Sequence, residues 1–157
     1  KVVRPEKLKT IFADFGGPRI QSTFPSRLED LHFSPAQGFM KGFIDLVFQE
    51  GERFFIVDWK SNFLGNRLQD YDQEKMSREM VDSYYILQSH LYVVALHQYL
   101  KTRLPGYQYR EHFGGVFYIF LRGVDPQKGS EYGVYHDFPP EALVKTLSEN
   151  LIEGYGQ

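Results

Sequence analysis

Two aspartates and a lysine stand out in this sequence, because carboxylates beside an ammonium group can bind a divalent cation and act on a substrate. Asp45 and Asp58 lie on either side of a short polar break, and Lys60 follows Asp58 by two residues. The residues around the break are rich in β-branched and aromatic side chains, which is typical of two strands joined by a tight turn. Side chains alternate along a strand, so Asp58 and Lys60 should share one face.

The length of the turn decides whether Asp45 lies on that same face. With Gly51-Glu52 as a two-residue type II′ turn, the glycine takes the first central position and Asp45 lies directly opposite Asp58. A loop at Glu50-Gly51 would shift the pairing by two residues and keep both carboxylates on one face. Only a loop of odd length would separate them.

Two carboxylates on one face require a compensating charge. At a separation of about 5 Å across a strand pair they repel each other, so a bound cation is the natural third partner. Hard oxygen ligands with an open coordination shell suit Mg²⁺, with Mn²⁺ as an alternative. Lys60 would stand beside this cation and could orient or deprotonate an attacking water, or serve as a salt-bridge partner, and the two roles are compatible. The three side chains predict phosphodiester hydrolysis.

The composition bounds the kind of molecule that carries this site. The chain has 157 residues, 42% of them hydrophobic and 24% charged, which is typical of one soluble globular domain. It has no cysteine, which excludes disulfides and thiolate metal sites. No signal peptide and no long uncharged apolar run is present, so neither secretion nor a membrane partner is indicated. A formal net charge of −2 argues against broad coating of DNA, so contact with nucleic acid should be local.

The pattern along the chain predicts an α/β fold with a mixed central sheet flanked by helices. Residues 1–27 show no clear period and are expected to form an irregular leader or linker, with a helix near Lys7–Phe12 as the alternative. Residues 28–157 are expected to form the functional domain. A short strand is expected over Arg27–Phe33, and one or two helices between Asp72 and Arg103.

The last third of the chain completes this sheet. Pro105-Gly106 ends the preceding helix, and 107–112 is expected to be a linker. Gly115–Leu121 is apolar on both faces, which predicts a central strand. A second short strand over Tyr132–His136 and a helix over 141–152 would follow.

Four short segments carry a resemblance to a known family. Asp45 followed by Asp58-Trp59-Lys60 matches the Asp…(Asp/Glu)-X-Lys pattern of the PD-(D/E)XK, restriction-endonuclease-like nucleases. Within that superfamily the chain resembles the C-terminal nuclease domains of the RecB type. The segments that carry the likeness are Met40-Lys41-Gly42-Phe43-Ile44-Asp45, Asp58-Trp59-Lys60-Ser61-Asn62, Phe113-Gly114-Gly115-Val116 and Phe120-Leu121-Arg122-Gly123-Val124.

The resemblance implies a Mg²⁺-dependent exodeoxyribonuclease domain, with Mn²⁺ possible, in double-strand break repair and recombination. Asp45, Asp58 and the Trp59 backbone carbonyl would bind the metal, and Lys60 would act in catalysis. The parent protein would be a bacterial, cytoplasmic helicase-nuclease that uses ATP, which this chain itself does not bind. Its partners would be DNA, the other subunits of exodeoxyribonuclease V and a recombinase.

One expected metal ligand has no counterpart in the sequence. In this family a histidine or glutamate from an upstream helix completes the metal site, and residues 1–38 contain no Gly-Thr-X-X-His type segment. This absence suggests that the N-terminal part of the domain is missing, and it leaves open whether the isolated chain is active. It also keeps open a second hypothesis, a non-catalytic DNA-guiding or scaffolding module that retains the nuclease fold.

Further candidates lie outside the hairpin. Gln88 and Tyr92 are four residues apart on a predicted helix and match the Gln-X-X-X-Tyr signature of the RecB type, which implies that they orient Lys60 or the substrate; packing in the core is the alternative. Lys75 and Arg78 could contact the DNA backbone or form a solvated face.

Two other side chains, Arg122 and Trp59, lie within the segments that carry the resemblance. Arg122 follows a buried strand and could contact phosphate or pair with an acidic neighbour. The Trp59 side chain points away from the two site residues beside it and is expected to pack beneath a helix.

Overall fold

The computed structural model describes residues 4–31 and 42–152. In chain order its helices and strands are α1 (Pro5–Phe15), α2 (Pro18–Gln21), α3 (Phe24–Arg27), β1 (Leu46–Glu50), β2 (Arg53–Lys60), α4 (Gln73–Asp82), α5 (Tyr85–Arg103), α6 (Tyr109–His112), β3 (Phe113–Phe120), β4 (Val134–Asp137) and α7 (Glu141–Leu151). Short 3-10 helices cover Leu28–Asp30, Leu68–Tyr71 and Leu121–Gly123. The predicted α/β fold, a mixed sheet flanked by helices, is confirmed.

The described residues divide into two compact units. A helical unit comprises 4–31, 42, 90–109 and 139–152, and a sheet unit comprises 43–89 and 110–138. The predicted domain boundary between residues 27 and 28 stays a prediction. Among the described residues, no helix is both long and apolar enough to cross a membrane.

The predicted hairpin forms from β1 and β2. Glu50 pairs with Arg53 across the two-residue turn Gly51-Glu52, and the strands run antiparallel. Gly51 has a φ of 59°, whereas Glu52 does not have a positive φ. This combination is a type II′ turn, whose twist matches that of the strands. The even-length loop keeps the predicted register.

β3 is a central strand, as its apolar pattern predicts. The sheet order is β1-β2-β3-β4, with β2 and β3 parallel and the outer pairs antiparallel. Val116, Tyr118 and Phe120 are all 0% exposed. The strand begins at Phe113, two residues before the predicted start, and the predicted strand near residues 132–136 is β4.

The first described segment is helical. In α1 the residues Leu8, Ile11 and Phe12 are buried at the i, i+3, i+4 spacing of one helix face. The Phe12 ring meets the Phe24 ring edge-on at 5.1 Å between centroids. The helical alternative for Lys7–Phe12 is therefore what the structure has.

The strand predicted over residues 27–33 is wrong in its described part. Arg27 ends α3, and the next three residues, Leu28–Asp30, form a 3-10 helix. Pro25 lies in the first turn of α3, a position that favours helix over strand. Within residues 27–31 Leu28 is the one buried residue, so the alternation of a half-buried strand is absent. Residues 32 and 33 lie outside the described residues.

The region from 72 to 103 forms two helices. The Asp72 side chain caps α4 by accepting a hydrogen bond from the Lys75 backbone N–H at 2.8 Å. Tyr84 has a φ of 57° and separates α4 from α5, which ends at Arg103 as predicted. Residues 107–112 are not only a linker, because Tyr109–His112 forms the short helix α6. The predicted C-terminal helix is α7.

Candidate metal and nuclease site

Asp45 and Asp58 meet at the end of the hairpin. The last pair of the β1–β2 ladder is Leu46 with Val57, so the next position outward brings the two aspartates opposite each other, as the type II′ turn predicts. Asp45 lies just outside the strand, and its Oδ2 accepts a hydrogen bond from the Trp59 backbone N–H at 3.0 Å. This bond fixes the Asp45 carboxylate beside β2.

Asp58 is a buried acid, with 3% of its surface exposed. Burial raises the pKa of the Asp58 carboxyl and the charge of Asp45 adds to the rise, whereas the Lys60 ammonium opposes it. The net pKa shift is upward. A cation bound to this carboxylate would favour its charged form and relieve the cost of burying it.

Lys60 is held from several sides. Its Nζ lies 2.6 Å from Asp58 Oδ1 and donates a hydrogen bond to Gln88 Oε1 at 2.9 Å. The same atom lies 3.9 Å from the ring centroid of Tyr85 and 5.0 Å from that of Tyr118. Only 11% of the Lys60 side chain is exposed. Electron-rich ring faces and two oxygens thus stabilise the ammonium in one position.

Gln88 connects Lys60 to the neighbouring strand. Gln88 Oε1 also accepts a hydrogen bond from the Tyr118 hydroxyl at 3.0 Å. Tyr118 pairs with Asp58 in the parallel β2–β3 ladder, so the two residues stand side by side in the sheet. The Gln88 side chain thus contacts Lys60, and its role in orienting Lys60 or the substrate stays a prediction.

A polar network lies behind the Tyr85 ring. The Tyr85 hydroxyl donates to Asn62 Oδ1 at 3.1 Å, and Asn62 Nδ2 donates to Glu79 Oε1 at 2.7 Å. Ser83 Oγ donates to the same Glu79 oxygen at 2.6 Å. Through these bonds α4 and the segment after β2 hold the ring that contacts Lys60.

The donor atoms fit a hard divalent cation. Asp58 Oδ1 is buried and, in the part of the chain that the structure describes, has no aligned hydrogen bond besides its ion pair with Lys60. No group of three or more His, Cys, Asp or Glu side chains within 4–31 and 42–152 could hold a metal. Two carboxylates are nonetheless what Mg²⁺ commonly takes from a protein, with water and phosphate completing its shell. Asp45 and Asp58 therefore fit Mg²⁺ better than a cation whose ligands all come from the protein.

The remaining predicted residues are placed differently. The Trp59 side chain is 44% exposed, so its predicted packing beneath a helix is wrong; the strand alternation points it to the face opposite Lys60. Lys75 Nζ binds Asp70 Oδ1 at 2.7 Å, and Arg78 binds Glu74 at 3.1 Å. Lys75 and Arg78 are thus ion-paired within the sheet unit.

The Tyr92 ring lies 3.3 Å from the position that a Cβ on Gly42 would occupy. It lies on α5, one helical turn beyond Gln88, and belongs to the helical unit. Its place at the substrate stays a prediction.

Sequence reasoning assigned no role to Tyr85, Tyr118, Asn62 or Glu79. One signal was present, since Tyr85 and Gln88 are three residues apart and share a helix face. Tyr118 could not be found this way, because the register between the parallel strands β2 and β3 joins segments 60 residues apart in sequence.

Comparison with known proteins agrees with this geometry. The family model of the PD-(D/E)XK nuclease superfamily matches residues 4–153. The RecBCD enzyme subunit RecB of Haemophilus influenzae is 46% identical over 119 residues, covering 76% of this chain and 10% of that protein. The RecB subunit of Escherichia coli is 44% identical, with the same shares of 76% and 10%, and that of Buchnera aphidicola subsp. Schizaphis graminum is 38% identical over 80% of this chain and 10% of the relative. The chain spans about a tenth of the length of these relatives, and it belongs to the PD-(D/E)XK nuclease superfamily.

Proposed function

We propose that this domain is a Mg²⁺-dependent nuclease that hydrolyses DNA phosphodiesters, with Asp45, Asp58 and Lys60 as its catalytic side chains. The observation that carries the proposal is the buried ion pair of 2.6 Å between Asp58 and Lys60, at the point where the hairpin brings Asp45 opposite. A structural salt bridge does not need a second carboxylate beside it, because that adds repulsion.

Asp45 and Asp58, with the Trp59 backbone carbonyl, would hold Mg²⁺ or, in its place, Mn²⁺. The metal supplies Lewis-acid stabilisation of the negative charge that develops on the scissile phosphate. Asp45 is exposed and open to the substrate, whereas Asp58 is buried and anchors the site from within the sheet. The bond from the Trp59 N–H keeps the Asp45 carboxylate turned toward β2.

Lys60 would position the attacking water and the phosphate. An ammonium group has three donors, and Asp58 and Gln88 engage two of them. The third donor is left for a water or a phosphate oxygen next to the aspartates. Holding this group in place before the substrate arrives removes an entropic cost from the reaction.

DNA backbone contacts by Lys75 and Arg78, and substrate positioning by Tyr92, belong to the same proposal. The ion pairs of Lys75 with Asp70 and of Arg78 with Glu74 would exchange for phosphate contacts. The Arg78–Glu74 pair is exposed and contributes at most about 1 kcal/mol, so its exchange costs little, whereas Lys75 would have to leave the mostly buried Asp70 carboxylate.

The proposal extends to the longer protein. The relatives are bacterial RecB subunits of the RecBCD enzyme, which supports an assembly of this domain with other subunits and DNA in the cytoplasm. An ATP-driven helicase in the same polypeptide, exonuclease rather than endonuclease action, a role in double-strand break repair and a recombinase partner are the finer parts of this proposal.

The second candidate function is a non-catalytic DNA-guiding or scaffolding module. It is favoured by one observation: the described residues offer two carboxylates at the site and no third His, Cys, Asp or Glu ligand beside them. The two functions differ in whether the domain cleaves DNA, with Asp58 required if it does.

The test is cleavage of 5′-labelled linear single-stranded DNA by the 157-residue chain with Mg²⁺ and with EDTA. Asp58→Ala and Lys60→Ala should each lower the rate by about 100-fold or more, and Asp14→Ala on the exposed face of α1 is the matched control. A circular strand of the same length separates exonuclease from endonuclease action. Cleavage that survives Asp58→Ala would contradict the nuclease proposal, and the absence of both cleavage and calorimetric Mg²⁺ binding would support the scaffolding module.

A further inference from the structure

We propose that Phe63 and Arg122 form a nucleotide subsite beside the aspartates, in which the phenyl ring stacks on a base and the guanidinium binds a neighbouring phosphate. This inference rests on the proposed nuclease function, because it names where the substrate strand would be held. The Arg122 guanidinium carbon lies 5.9 Å from the centroid of the Phe63 ring. The Phe63 side chain is 63% exposed, so one of its faces is open to a ligand.

Phe63 is exposed on a backbone that is tied down on both sides. The hydroxyl of the buried residue Tyr71 accepts a hydrogen bond from the Leu64 N–H at 3.2 Å. The same hydroxyl donates to the Asn62 carbonyl at 3.5 Å, and the Asn62 side chain is held by Glu79. The ring is therefore presented from a fixed position, which lowers the entropy that binding would have to overcome.

Arg122 is fixed by the same tyrosine. It lies in the 3-10 helix Leu121–Gly123, and a Cβ at Gly123 would approach Tyr71 Cβ to 2.2 Å. On its other side, a Cβ at Gly133 would come within 2.4 Å of the Gly123 carbonyl carbon, and Gly133 has a φ of 73°. Both positions require glycine, and the close packing leaves the Arg122 backbone little freedom.

The Arg122 side chain points its free donors outward. Its Nε donates to the Ser61 carbonyl at 3.0 Å, and the residue as a whole is exposed. Within the described part of the chain the guanidinium has no carboxylate partner, so the predicted pairing with an acidic neighbour is wrong there. Nη1 and Nη2 remain available, and a guanidinium fork binds phosphate oxygens in a bidentate manner.

The pair lies at the same end of the sheet as the aspartates. Lys60 pairs with Phe120 in the parallel ladder. Ser61 follows Lys60 directly, and Arg122 follows Phe120 by two residues. Phe63 follows Lys60 by three residues, so their Cα atoms are at most about 11 Å apart. A strand with one phosphate at Asp58 could place an adjacent nucleotide on Phe63.

The chemistry suits a single strand of any sequence. Stacking of a base on an aromatic ring contributes about 1–3 kcal/mol, and every base has a stacking face. The phosphate contact is also independent of sequence. The subsite would therefore raise affinity for unpaired DNA without selecting a base.

The test measures binding of the 157-residue chain to a fluorescent 12-nucleotide single strand in EDTA, and KM and kcat for its cleavage in Mg²⁺. Phe63→Ala and Arg122→Gln should each raise Kd and KM about tenfold with little change in kcat. Phe63→Trp should keep the affinity because it keeps the ring. The controls are Tyr99→Ala, an aromatic residue 60% exposed on α5, and Arg103→Gln on the same helix, which should leave both constants unchanged.

A strand with one abasic position identifies the stacked nucleotide. The abasic position that weakens binding to the wild type should have no further effect on Phe63→Ala, because both changes remove the same contact. Equal Kd and KM in wild type, Phe63→Ala and Arg122→Gln, with Asp58-dependent cleavage intact, would overturn the subsite and leave the nuclease proposal standing. Binding that depends on Phe63 and Arg122 without any cleavage would support the subsite and contradict the nuclease. A wild type that neither binds nor cleaves DNA would overturn both.

Discussion

Lys60 Nζ donates a hydrogen bond to Gln88 Oε1 at 2.9 Å, and this bond joins the end of β2 to the first turn of α5. The same oxygen accepts a hydrogen bond from the Tyr118 hydroxyl, so Tyr118 helps to orient the amide that binds Lys60. We therefore expect Gln88 to be a positioning residue for the proposed catalytic ammonium. Its effect on a reaction would pass through Lys60.

Replacing Gln88 by leucine should lower kcat for DNA cleavage about 10- to 100-fold with little change in KM. The reason is that Lys60 loses an acceptor that fixes its direction, and small displacements of a catalytic group can cost about 100-fold. Steady-state kinetics would measure this, with Gln69→Leu, an exposed glutamine of the same unit, as the control. A rise in KM alone would instead assign Gln88 to substrate binding.

Added Mg²⁺ should raise the melting temperature of the wild type and not that of Asp58→Asn. A ligand that binds only the folded state stabilises it by about 2.7 kcal/mol at 100 times its Kd. The substitution keeps the shape of the side chain but removes the charge that the metal requires. Thermal melts with Mg²⁺ and with EDTA test this, and Asp14→Asn should behave as the wild type does. A shift of equal size in Asp58→Asn would place the metal elsewhere.

The stability of the sheet unit should depend on the charge of Asp70 at acid pH. Hydrogen bonds from Lys75 and from the Arg67 backbone lower the pKa of Asp70 from 3.8 to about 2 in the folded state. Between these values the unfolded chain binds more protons, so this contribution is present in full above about pH 4 and is lost as the pH falls toward 2.

Asp70→Asn should therefore be less stable than the wild type at pH 7, and the difference should shrink as the pH falls from 4 to 2. Urea unfolding at several pH values would measure it, with the exposed residue Asp14 replaced by asparagine as the control. A difference that stays constant over this range would show that packing, and not the carboxylate charge, is lost.

The hairpin could be predicted because its signals are local. The turn glycine at residue 51 and the alternation around it determine which side chains face Lys60, and these signals lie within about 20 residues of one another. The positions of Tyr118 and Arg122 could not be predicted, because they depend on the pairing of β2 with a strand far along the chain. The first helix was predicted only as an alternative to an irregular leader, since Leu8, Ile11 and Phe12 form only one short apolar stripe.

Glu79→Ala should lower the free energy of unfolding by about 1.5–3 kcal/mol. Glu79 Oε1 accepts hydrogen bonds from Asn62 at 2.7 Å and from Ser83 at 2.6 Å, and hydrogen bonds to charged groups are the stronger kind. Glu74→Ala on the same helix is the matched control, because its side chain is 82% exposed and, among the described residues, its ion pair is with Arg78. Its loss should cost about 0.5 kcal/mol or less. Equal losses in both variants, measured by urea unfolding, would mean that the hydrogen bonds of Glu79 with Asn62 and Ser83 contribute no more to stability than the exposed Glu74–Arg78 pair.

Gly123→Ala should destabilise the fold by about 1–3 kcal/mol, because a Cβ there would lie 2.2 Å from Tyr71 Cβ and force the two 3-10 helices apart. Gly129→Ala is the comparison, since its φ of 59° strains an alanine but no atom lies within 4 Å of the added Cβ. That variant should show only the backbone cost of about 1–2 kcal/mol. The two are separated by a second substitution, Tyr71→Gly, which removes both the Cβ and the ring that obstruct the added methyl group, and which should make Gly123→Ala less harmful while leaving the effect of Gly129→Ala unchanged. If the two glycine variants respond equally to Tyr71→Gly, the close contact between Tyr71 and Gly123 is not the cause of the loss of stability.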